Sequence, residues 1–106
     1  MQVINRIIQL GGTPVLTPAF WMDLADCGYA VPEDPYIEKI LDQNLEGERC
    51  AIDRYKNLAD FTNGKDHVTH QMATTILNEE LEHEQDIEDW IVDTKRMKEN
   101  LMKLRV

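Results

Sequence analysis

The sequence predicts an all-α fold whose centre is a long antiparallel helical hairpin, half of a four-helix bundle. Two apolar stripes at helical spacing, and the tight stop between them, predict it. From Ile37 one stride runs Leu41, Leu45, Glu48, Ile52, Tyr55, Ala59 and Thr62. A second runs Thr69, Met72, Ile76, Glu80, His83, Ile87, Trp90, Thr94, Met97 and Leu101. Asn63-Gly64 falls between them, a pair suited to the left-handed residue that ends a helix.

The elements follow in chain order, within a single 106-residue domain. Residues 1–10 read as a short apolar helix (VINRIIQL), which Gly11-Gly12 ends. Residues 11–34 hold Pro14, Pro18, Pro32 and Gly28 and read as a long irregular crossover. Asp34-Pro35 opens the next helix, with Asp as N-cap and Pro at the first helical position. That helix covers 35–62, with Gly47 a tolerated weak point. The last helix covers 66–103, roughly 55 Å at 1.5 Å per residue.

Composition removes several function classes. Hydrophobic residues make up 42% of the chain, enough for a small core, and no run is long enough to span a membrane. No cationic start precedes an apolar stretch, so a cytoplasmic protein is expected. The net charge of −9 argues against coating nucleic acid, which needs basic surface. Glu79, Glu82, Glu84, Asp86, Glu88, Asp89 and Asp93 read as a solvated face, and His67 and His70 as exposed. Lys95, Arg96, Lys98, Lys103 and Arg105 sit where the helix dipole favours cations.

The polar breaks in the two stripes carry the chemistry. Glu48 alone interrupts the first stripe, while Glu46 points to the far side. Glu80 and His83 interrupt the second on adjacent turns. In an antiparallel pair these breaks fall at similar heights. Buried carboxylates are costly without a counter-charge, so a cation is one natural partner. An ion pair of Glu48 with protonated His83 is the other. Oxygen-rich sites with one nitrogen suit iron or manganese. A di-iron carboxylate centre takes one Glu from each of two helices and one Glu-x-x-His from each of two more. This chain supplies half of that set.

The same residues carry a family resemblance. Glu48-Arg-Cys-Ala-Ile-Asp-Arg-Tyr55 resembles the E-x-x-A-I-x-x-Y ligand helix of bacterioferritins, and Ile76 to His83 resembles their I-L-x-x-E-x-x-H helix. Ile4 to Pro14 resembles the end of the second helix in Dps-like ferritins, also called thioferritins. The resemblance covers the C-terminal half of that domain. It implies a ferritin-like fold and oxidation of ferrous iron at a di-iron centre, with peroxide as oxidant, serving iron storage and protection from oxidative stress. It implies Glu48, Glu80 and His83 as catalytic metal ligands, with Tyr55 as their hydrogen-bond partner. Taken alone, two cysteines read as free thiols; the resemblance implies that Cys27 and Cys50 form a redox-active, disulfide-forming pair. With half a ligand set per chain, the expected assembly is a homodimer or a larger homo-oligomer. A different reading is a non-enzymatic helical module, or a degenerate ferritin subunit, that packs against a partner without oxidising iron.

Overall fold

The computed structural model describes residues 1–21, 27 and 36–104. Among these the secondary structure is helical throughout: α1 (Gln2–Gln9), a short 3-10 turn (Pro18–Phe20), α2 (Ile37–Thr62) and α3 (His67–Lys103). The fold is all-α. Gly11, in the left-handed region at φ +81°, follows the last residues of α1. Pro18 takes the first position of the 3-10 turn, and the Trp21 indole N–H donates to the Val15 carbonyl at 2.9 Å. Asp34-Pro35, Gly28, Pro32 and Arg105 lie outside the described residues. The observed start of α2 has Tyr36 as N-cap, without a side-chain cap.

The hairpin turns at Gly64, whose φ of +74° is reached at no steric cost. Asp66 then caps α3, accepting from the Thr69 N–H at 3.1 Å. The turn end closes on small residues: Ala59, Thr62, Thr69 and the fully buried Ala73. His70 bridges the helices there, its Nδ1 lying 2.8 Å from the Ala59 carbonyl, so the expectation that His70 is exposed is corrected. That carbonyl is in the last turn of α2 and lacks a full set of helical partners, which is why a ring N–H is taken up. His67 is exposed.

At the other end Leu41 and Leu45 pack on Ile87 and Ile91. Arg49 reaches from α2 to Glu84 (3.2 Å) and Glu88 (3.0 Å), so two acids of the expected solvated face are paired. Lys98 and Glu38 form a further exposed pair at 3.4 Å. The α3 stripe divides along its length. Ile76 and Ile87 turn onto α2 and are buried, whereas Trp90, Met97 and Leu101 are 54%, 65% and 63% exposed. One apolar face of the hairpin therefore stands uncovered among the described residues.

α1 docks at the turn end. Arg6 donates to both Asp66 carboxylate oxygens, at 2.9 and 3.0 Å, and through Nε to the Thr69 hydroxyl at 2.7 Å. Thr69 and Arg6 hold the Asp66 carboxyl down at about 2, Thr69 most strongly. No helix of the described residues is long and apolar enough to cross a membrane.

Candidate metal centre

Glu48 on α2 and Glu80 and His83 on α3 come together near mid-hairpin. One ligand atom from each lies within 4.8 Å of the other two, the only such group of three among the described residues. His83 Nδ1 stands 3.8 Å from Glu48 Oε2 and 3.6 Å from Glu80 Oε2. The convergence has a local cause. Residues three apart on α3 share a face, and Glu48 occupies the stripe that meets that face. Apolar neighbours at Leu45 and Ile87 fix the helices around it.

The electrostatics of the trio lack balance. Glu48 Oε2 is buried without a hydrogen-bond partner. Its carboxyl is pushed up to about 7, first because its protonated form shares a hydrogen bond with Glu80, then by burial and by the Glu80 charge; only His83 opposes. The trio as it stands keeps a proton on a carboxylate near neutral pH. A divalent cation would remove that penalty by replacing the proton, and two carboxylates with one imidazole form a donor set suited to iron or manganese. The residues present therefore fit the metal. Glu48 and Glu80 are mostly covered, but the His83 side chain is 56% exposed, on the same side as Trp90. The cluster opens toward the uncovered face.

Around the trio, Tyr55 is half-buried; burial, and then the Glu80 charge, push its phenol up. Tyr55 is thus near Glu80. Cys50, two residues after Glu48, is joined by a disulfide to Cys27, their Cα atoms 5.8 Å apart. Two features were missed in the sequence. Arg6 is the single base in an otherwise apolar short helix, a pattern that signals a specific partner. Arg49, beside Glu48, sits opposite acids spaced four apart at Glu84 and Glu88, an ion-pair pattern whose inter-helix geometry only the fold reveals.

The arrangement agrees with what the chain is similar to. It is 45% identical over 83 residues to a DNA protection during starvation protein of Pyrococcus furiosus, a match covering 77% of this chain and 45% of that protein. It superposes with a TM-score of 0.88 and 49% identity on the bacterioferritin-related protein of Bacteroides fragilis, described as a dodecameric thioferritin. That match covers 93% of this chain and 59% of the other. The chain thus spans about half the length of these relatives. The model of the ferritin-like domain matches residues 1–97, almost the whole sequence. With that match, these identities and an all-helical hairpin in hand, the chain belongs to the ferritin-like family, on the side of Dps-like and bacterioferritin-related proteins.

Proposed function

We propose that this chain forms part of a di-iron carboxylate centre that oxidises ferrous iron, with peroxide as the oxidant. The buried, unpartnered Glu48 oxygen facing Glu80 and His83 carries this reading. Glu48, Glu80 and His83 are the ligands this chain contributes, and iron is the metal, with manganese fitting the same donors. Two ferrous ions each give one electron to one peroxide; its O–O bond breaks, and two hydroxides take up the oxygens. A metal centre of this kind needs ligands held in place and an open coordination position. The helical stripes supply the first, and the exposed side of His83 supplies the second.

Tyr55 is proposed to hydrogen-bond a ligand and steady it. Cys27 and Cys50 are proposed as a redox pair at the outer side of the Glu48 helix. The centre is completed by oligomerisation, and the protein stores iron and protects against oxidative damage in the cytoplasm. The Pyrococcus relative is named for DNA protection. With twenty acids against eleven bases, this chain would serve nucleic acid by removing iron and peroxide, not by coating it.

The test is anaerobic ferrous titration followed by peroxide. Ferric absorbance should appear with two irons oxidised per peroxide consumed, and Glu48→Ala should abolish stoichiometric binding. Metal content unchanged in that variant would end the assignment. Purified protein that takes up no metal would favour the non-enzymatic packing module.

A further inference from the structure

We propose that the second half of the centre is a second copy of this chain, packed about a twofold axis between the two Glu80–His83 turns, and that α1 leaves its seat when the pair forms. The proposal rests on the reading of Glu48, Glu80 and His83 as metal ligands.

The first support is the ligand set. A complete centre draws one Glu from each of two helices and one Glu-x-x-His from each of two others. One hairpin holds one of each, so two copies related by a twofold axis supply the whole set without surplus. Such isologous pairing places the same patch on both sides of the interface. The second support is the uncovered face. His83, Trp90, Met97 and Leu101 are exposed on the side toward which the cluster opens. Burying a large apolar side chain contributes about 1.5–3 kcal/mol, so this face gains by being covered. The third is Glu48 Oε2, buried and without a partner in the single chain.

The register follows from the axis. Neighbouring helices of an up-down bundle run antiparallel, so each α3 lies along the other. With the axis near residue 82, Trp90 comes opposite Thr74 of the partner subunit. The Thr69 end of the stripe then meets the partner's α3 near Lys95 of the partner subunit. That end is where Arg6 now holds α1, through Thr69 itself. α1 and the partner's α3 therefore contend for one position. The hold on α1 is light: none of its residues is buried, and the Arg6 contacts to Asp66 and Thr69 tie it down. α1 acts as a removable cover over one end of the interface.

Sedimentation of the intact chain, with and without ferrous iron under nitrogen, tests this. A dimer, or a larger assembly of dimers, is expected, with two irons per pair and association tightened at least about tenfold by the metal, which binds only the assembled state. Trp90→Glu should yield monomers, because Trp90 lies on the exposed face and the hairpin itself does not depend on it. Arg6→Ala should tighten the dimer severalfold, with helical content retained in circular dichroism. A folded monomer that binds iron, and loses it in Glu48→Ala, would overturn the pairing while leaving the metal site intact. So would an assembly whose size Trp90→Glu does not change. An Arg6→Ala dimer no tighter than the parent would overturn the role given to α1.

Discussion

Glu48 sets how the metal-free protein responds to pH. Its folded carboxyl titrates at about 7, against 4.5 ordinarily. Between those values the folded chain keeps a proton that the unfolded chain has released, so stability falls as pH rises from 4.5 to 7. The urea midpoint of metal-free protein should be lower at pH 8 than at pH 5. Glu48→Gln should flatten that difference, raising the melting temperature at pH 8 by several degrees. Metal displaces the same proton; calorimetry in buffers of different ionisation enthalpy should detect its release at pH 6.5. Asp66 works in the opposite sense. Its carboxyl, held at about 2 instead of 3.8, adds stability above pH 3.8 that is lost as pH falls through 2. The three ligand residues were legible because each breaks an apolar stripe. The role of Asp66 as an anchor for Arg6 was not, since sixty positions separate the two residues and no periodicity links them.

At the level of elements, α2 carries a removable weakness. Gly47 sits mid-helix, and a Cβ there would meet nothing within 4 Å. Gly47→Ala should stabilise the chain by about 0.5–1 kcal/mol, read from denaturant midpoints. The disulfide bears on the crossover instead. Cys27 and Cys50 are 23 positions apart, and closing a loop of that size contributes about 3 kcal/mol on a chain-entropy basis. Unfolding with and without a thiol reductant should show a loss of that order, whereas an unchanged midpoint would mean that the link constrains little. The sequence marked α2, α3 and the turn between them through stripes and Gly64. It did not show that the α3 stripe would divide. Ile76, Ile87 and Trp90 are equally apolar on a helical wheel, and only the crossing of α2 decides which of them is covered.

For the molecule as a whole, one face decides behaviour in solution. Trp90, Met97 and Leu101 form an apolar surface beside an acidic helix in a chain of net charge −9. Metal-free protein at low concentration should bind a hydrophobic dye such as ANS, and ferrous or manganous ion should suppress that signal as the face is covered. Dye binding unaffected by metal would separate the face from the centre. A half ligand set could be read from one sequence, because Glu-x-x-His and its partner Glu can be counted. What covers the face could not, since that depends on surfaces outside the hairpin.

The position of the turn has a kinetic consequence. Glu48 and Glu80 each lie sixteen residues from Gly64. A hairpin that zips outward from that glycine brings both carboxylates to the same height with no adjustment, and local closure of this kind takes microseconds. A slip of one helical turn would displace the ligands by about 5.4 Å, too far for a shared ion. The metal thus acts as a proofreader of helix register: it is retained by the correctly zipped hairpin and released by its misaligned alternatives.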